Sequence, residues 1–346
     1  MRRKLIFVRW IPRHLLSTAA FGVSALLTPL AAAQTGASGH EIWFHVSPIN
    51  VARSQEARQY WWDPLFFRSD APWPESMNHV QVLSVATQAM SQISDEDLAK
   101  VAHRLNQHHI GLSLGLLAQD NTPRPGAPAS CGNNVEGYDS PQETARIAAK
   151  LKQAGVNLRY IAMDEPLWFG HYYNEKNACR SSIDNVAERV AANLAAYVRL
   201  FPDVVIGDTV PIPSVTDQPQ WQNDYRQWLA AFARHVGRPI GFAVLDINWG
   251  RPNRSQSLQA SVVFLRNQHV RLGIIYNADA PATTTNDEYL EAARQHFVQI
   301  EQNMHIVPDM AVFASWVRFP RRAISDQSGL GQDYLVKEYV QLRNDR

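Results

Sequence analysis

Eight short β-rich runs, each leading into a loop and most into a helical pattern, constrain this chain more than any other feature. They span 41–47, 80–86, 110–117, 158–163, 203–207, 240–247, 270–276 and 310–315, and start about 38 residues apart on average. That spacing holds one strand, one helix and two loops, the pattern that joins parallel strands through crossovers. Eight such units in one chain predict an α/β fold, a single (β/α)8 barrel over 34–346. An open doubly wound sheet is the alternative. It commonly binds phosphate through a Gly-rich first turn, whereas Ser47-Pro48-Ile49-Asn50 follows the first run here.

The helices announce themselves locally. Ser94-Asp95-Glu96-Asp97 and Ser140-Pro141-Gln142-Glu143 read as N-termini, the second with proline at the first helical position. Ile183, Val186, Val190, Leu194 and Tyr197 recur at helical spacing, as do Tyr225, Trp228, Leu229 and Phe232 ahead of Gly237. After the first run, Pro64, Pro72 and Pro74 predict a broken helix.

Residues 1–33 are set aside. Arg2, Arg3, Lys4, Arg9 and Arg13 precede an apolar run from Leu15 to Leu30, and Ala31-Ala32-Ala33 offers a small-residue cleavage site before Gln34. That is the layout of a secretory signal peptide, which predicts a periplasmic or secreted protein with no stable membrane anchor after cleavage. Loss of these five cations turns 33 basic against 32 acidic residues into a mildly acidic balance, which gives no field for nucleic acid. Cys131 and Cys179 fall in loops on one rim, and an oxidising compartment would pair them. Such a bridge stabilises by roughly 4 kcal/mol in the chain-entropy model.

In barrels of this kind chemistry sits where the strands end. Acids recur there: Asp120 after the third run, Asp164 and Glu165 after the fourth, Asp208 after the fifth, Asp246 in the sixth and Asp279 after the seventh. Some of them are expected to cap helices. The sharpest case is Met163-Asp164-Glu165-Pro166-Leu167-Trp168. Alternation puts Glu165 on the face of Met163 and Ile161, and if that face lines the barrel, Glu165 points into its mouth. An acid beside an aromatic face suits sugar chemistry, in which an acid protonates the leaving oxygen and a flat ring stacks on the pyranose. Trp168, Trp249 and Trp316 follow strands four, six and eight and are the expected ligand rim. Tyr276, His171 and Asp208 are further candidates for substrate contact, with His171 placed to orient a carboxylate. Trp43 is expected in the core, and His45 reads as a hydrogen-bonded structural histidine.

Asp164-Glu165-Pro166 resembles the Asn-Glu-Pro motif that ends strand four in the large retaining clan of (β/α)8 glycoside hydrolases. The resemblance implies a general acid/base role for Glu165. Ser315-Trp316 at the end of strand eight resembles the sugar-subsite floor of the same enzymes. Two departures stand out. Asp164 replaces an amide donor to the sugar 2-hydroxyl, and Ile274-Ile275-Tyr276-Asn277-Ala278-Asp279 lacks the glutamate nucleophile of strand seven. The second carboxylate is then Asp246 or Asp279, with Asp164 orienting a hydroxyl.

Other chemistries find no support. His40 and His45 are five apart, His108-His109 cannot easily chelate one ion together, and no thiolate cluster exists, so no metal or other cofactor is expected. Neither a Gly-Lys-Ser/Thr phosphate loop nor a Gly-x-Ser-x-Gly elbow occurs. Three readings remain: a glycoside hydrolase acting on poly- or oligosaccharide, a non-catalytic carbohydrate-binding barrel of the cell envelope, and an envelope protein with no polar cleft.

Overall fold

The computed structural model describes residues 39–46, 54–68, 72–122, 126–278 and 283–344. The expected signal peptide, the Ser47–Asn50 turn and Asp279 lie outside them. Eight parallel strands close a barrel: β1 (Glu41–His45), β2 (Val82–Ala86), β3 (Gly111–Leu116), β4 (Leu158–Met163), β5 (Val205–Ile212), β6 (Phe242–Ile247), β7 (Arg271–Tyr276) and β8 (Met310–Phe313). Each pairs with its sequence neighbours, and β8 returns to β1 with Glu41 opposite Met310. The doubly wound alternative is excluded by this closure.

Helices follow from their caps. Ser94 and Ser140 accept the backbone N–H groups of Asp97 and Glu143, starting helices Asp95–Gln107 and Pro141–Gln153. Thr285 and Glu288 form a reciprocal capping box on Asn286–Val298. Gly237, at φ 79°, closes Trp221–Val236 in the left-handed conformation that glycine adopts at little cost. Two expectations need correction. Arg58–Phe67 is helical despite Pro64, as a wide turn in which Arg68 N–H reaches Asp63 O at 2.8 Å. Strand five runs to Ile212, not to residue 207. Its pairing with β4 stops at Met163 opposite Asp208, so beyond that point β5 is an edge on one side. An edge tolerates Pro211, which has no N–H to give.

Both faces of the barrel wall are apolar. Ile161, Met163, Ile274 and Tyr276 pack outward against helices. Inward, Trp43, Tyr160 and Phe242 fill the lumen with ring centroids 4.7, 5.4 and 5.5 Å apart. Trp43 is thus the core residue expected. A Cβ on Gly207 would fall 2.3 Å from the Phe242 ring, which is why that strand position carries glycine.

Below these rings lies a charged plug. Glu41 Oε1 accepts from Arg159 at 2.7 Å and from the Tyr160 hydroxyl at 3.0 Å, while Oε2 lies 3.2 Å from Trp43 Nε1 and 3.6 Å from Arg271. Glu41 is buried and the arginines are partly exposed. Removing one member of such a group leaves the others uncompensated. Glu41→Ala is therefore expected to lower the unfolding free energy by about 3 kcal/mol in urea titration. A loss below about 1 kcal/mol, the range of exposed pairs, would show that the plug is solvent-screened.

Candidate active site

The end of β4 breaks the alternation that the sequence suggested. Tyr160 faces the lumen and Ile161 and Met163 face the helices. By parity Asp164 belongs to the lumen face and Glu165 would turn away from it. Glu165 instead adopts φ 49°, a left-handed conformation uncommon outside glycine and Asx residues. Its N–H donates to Met163 O at 3.1 Å and its carbonyl accepts from Phe169 N–H at 3.0 Å, so it is both the strand's last turn and the helix's first. Such a conformation costs about 1 kcal/mol and persists where surroundings impose it, commonly at functional sites.

Those surroundings are a wall built by the loops after β3 and β4. Buried Gln119 donates to Pro166 O at 2.9 Å. The short strand Gln119–Asp120 pairs with Tyr138–Asp139. Gly137, at φ 86°, lies so close to the backbone that an added Cβ would be 3.1 Å from Asp164 O. Cys131 and Cys179 form a disulfide joining the two loops, as the sequence suggested. Val135, Tyr138 and Phe169 pack around it, and Arg189 Nη1 lies 3.7 and 3.9 Å from the two sulfurs. Asp120 belongs to this scaffold: its carboxylate accepts both the N–H and the hydroxyl of Thr122.

Across the mouth, an open cleft of about 620 Å³ is lined by Pro211 and Ser214, Asp246 and Asn248, Asn277, and Trp316. Asp246 follows Phe242 and Val244 on the lumen face of β6. Trp316 is 54% exposed, and its ring meets His45 edge-on at 5.8 Å. Burial pushes the His45 imidazole down to about 4, so it is neutral at physiological pH; its Nδ1 is 3.3 Å from Ser84 Oγ.

The acids perturb one another. Burial, then the charges of Glu136, Asp246 and Asp208, pushes Asp164 up to about 7. Burial raises Glu165 well above the carboxylate range, and Asp246 is the strongest of the like charges acting on it, ahead of Asp164, Glu136 and Asp208. Desolvation disfavours the charged form, and neighbouring carboxylates add to that penalty. A carboxyl held neutral beside ionised partners is the arrangement that separates an acid from a base. Among the described residues, no group of three or more His, Cys, Asp or Glu is disposed to hold a metal ion.

Several expected contacts lie elsewhere. Asp208 is not at a strand end. It sits mid-β5, buried on the helix side, with Oδ2 accepting from Tyr225 at 2.8 Å and from Trp228 Nε1 at 2.9 Å. Tyr276 shares the outward parity of Ile274, and its hydroxyl donates to buried Glu301 at 2.8 Å. Trp249 is only 7% exposed. It stacks on His296 at 3.5 Å and donates to Asn277 Oδ1 at 2.7 Å, so its faces are not offered to a ligand. His171 Nδ1 bonds Ser181 O at 2.7 Å and steadies its loop, in place of the carboxylate expected. Trp168 is half-buried and tilted against Tyr172. The sequence reading missed Glu136, whose carboxyl burial also raises, and Asn277, which ends the lumen face of β7 where the resemblance implies glutamate.

Burial also pushes Asp208 up to about 7, against the pull of Tyr225 and Trp228. The folded state then binds the proton more tightly than the unfolded chain does. The resulting stability is full below about pH 4 and is lost as pH rises through about 7. Between pH 4 and pH 8, Asp208→Asn should gain on wild type by an amount on the order of 4 kcal/mol at most. Parallel stability–pH curves for the two proteins would show that Asp208 titrates normally.

No family model and no curated relative matches the chain. Solved structures do. A GH5_18 protein from Streptomyces cattleya, crystallised with GlcNAc, superposes with a TM-score of 0.53 at 12% identity over 89% of this chain and 82% of that one. A GH10 endoxylanase retrieved from a sugarcane soil metagenome gives 0.51 at 11% identity, over 88% and 97%. Identities this low speak for architecture alone. The chain has a (β/α)8 fold of the kind found in glycoside hydrolases.

Proposed function

We propose that this chain is an exported glycan-active barrel that hydrolyses glycosidic bonds of a poly- or oligosaccharide, with Glu165 as general acid/base. The observation that carries the reading is Glu165 itself: a strained, desolvated carboxyl within electrostatic reach of Asp246, which lines an open cleft together with Trp316. The glycoside hydrolases among its structural relatives support it, and the disulfide suits an oxidising periplasmic or extracellular setting. Neutral Glu165 protonates the departing oxygen. Asp246 serves as the second carboxylate, and Trp316 stacks the sugar. Asp164, titrating near 7, carries a proton under mildly acidic conditions and then donates to a sugar hydroxyl as an amide would. The departure from the Asn-Glu-Pro pattern is thereby compensated.

Glu165→Gln should lower kcat by roughly 10² to 10⁴ on glycans with poor leaving groups. It should do far less on an aryl glycoside whose phenolate leaves without protonation. Activity should fall on the alkaline side as Glu165 loses its proton, and that limb should vanish in the variant. Equal rates for wild type and variant on every accepted glycan would remove Glu165 from the mechanism. The second reading, a barrel that binds glycans without turnover, is favoured by one observation: an amide, Asn277, ends β7. Calorimetric binding of oligosaccharides to wild type, with no product after prolonged incubation, would establish it.

A further inference from the structure

A second cavity borders the cleft. Its empty volume is about 470 Å³, and it lies between the loops of β1 and β8, lined by Ser54, Trp61, Val317, Arg318, Pro320 and Arg321, with Glu56 also on its wall. Val317 lines both cavities, so the two hollows adjoin directly beside exposed Trp316.

The arginines of this loop differ in their commitments. Arg322 is paired with Asp326 and lies over the Tyr60 ring. On the β1 side, Arg58 is held by Asp97 and Asp63. Arg318 and Arg321 have no acidic partner within salt-bridge distance among the described residues, and both are exposed. Arg321 rests 5.7 Å from the Phe319 ring centroid, and its backbone N–H is fixed by Asn286 Oδ1 at 3.0 Å. Two guanidinium groups against one carboxylate leave the hollow positive. The neighbouring mouth, with Asp164, Glu165, Asp246 and Glu136, has the opposite sign.

We propose that this second cavity is an acidic-sugar subsite, in which Arg318 and Arg321 hold the carboxylate of a uronic acid residue one or more sugar units from the bond at Glu165. The guanidinium fork matches a carboxylate in two parallel hydrogen bonds, and Trp61, Val317 and Pro320 supply an apolar wall for the ring. The acids of the mouth repel a uronate from the cleavage position itself, so the charge separation sets register along the chain. The inference rests on the glycan-binding reading above and narrows its substrate class to acidic polysaccharides.

The test is calorimetric binding to the Glu165→Gln protein. The probes are three oligosaccharides of neutral sugars that each carry a single uronic acid residue, galacturonic, glucuronic or mannuronic, each compared with its methyl ester, which keeps the skeleton and removes the charge. At least one free acid should bind about tenfold or more tighter than its ester, and the difference should shrink with added salt. Arg318→Ala combined with Arg321→Ala should erase that difference and leave ester binding unchanged. Both side chains are exposed, so the fold is not at stake, and thermal unfolding of the double variant checks this. Acid and ester binding alike for all three pairs, or an acid preference that survives the double substitution, overturns the subsite. Hydrolysis of neutral glycans with no acid preference would sink this inference and leave the proposed function standing. Acid-selective binding with no turnover by wild type would do the reverse.

Discussion

The packed lumen governs everything above it. Trp43, Tyr160 and Phe242 stack across the barrel, and Glu41 with its arginines closes the lower end. A filled interior leaves only the strand ends for polar chemistry. It also means that Asp164 and Asp246, at the top of the lumen face, stand over an aromatic floor and not over water. Their crowding is costly for that reason. The charged state of each acid is opposed both by lost hydration and by the others. Burial and like charge therefore raise Asp164 and Glu165 together.

Much of this was legible in the sequence because local rules decided it. All eight strands were placed, since β-rich runs alternating with capped helices leave little freedom, and Ser94, Ser140 and Gly237 act where their spacing put them. The Asp-Glu-Pro segment stood out as an acid pair after a buried run. The faces of the strands were harder to read. Strand parity cannot be inferred when both faces are apolar, as Ile161-Ala162-Met163 and Ile274-Ile275-Tyr276 are, and so Tyr276 was assigned to the wrong side. Parity also lapses at a residue in the left-handed region. The φ of 49° at Glu165 takes that residue out of the alternation on which the sequence argument relied.

Other errors were non-local. Asp208 looked like a strand end because the fifth run was read as stopping at residue 207, whereas the strand continues through Pro211, which the early finish of the β4 pairing makes acceptable there. Nothing near Trp249 in sequence reveals His296, 47 positions on, which covers its face. Glu136 carries no periodic or motif signal at all. It reaches the acids because the Cys131–Cys179 bridge and the short pairing of Gln119–Asp120 with Tyr138–Asp139 fold its loop back over β4.

The mouth is also divided between two chemistries, and the division follows from what each strand end is already committed to. On the β7 side Asn277 uses Oδ1 for Trp249 and its carbonyl for His296, so it is a fixed amide, held by two partners that also stack on each other. The β8 side adds an exposed indole and the arginines beyond it. The carboxylates that act on Glu165 come instead from the loop after β3 and from β4, β5 and β6. On the proposed function, a sugar chain lying across the opening would meet proton-transfer groups at one flank and stacking and cationic groups at the other. That polarity would then give a glycan a preferred direction, because reversing it would set neutral hydroxyls against the arginines and any acidic substituent against the carboxylates.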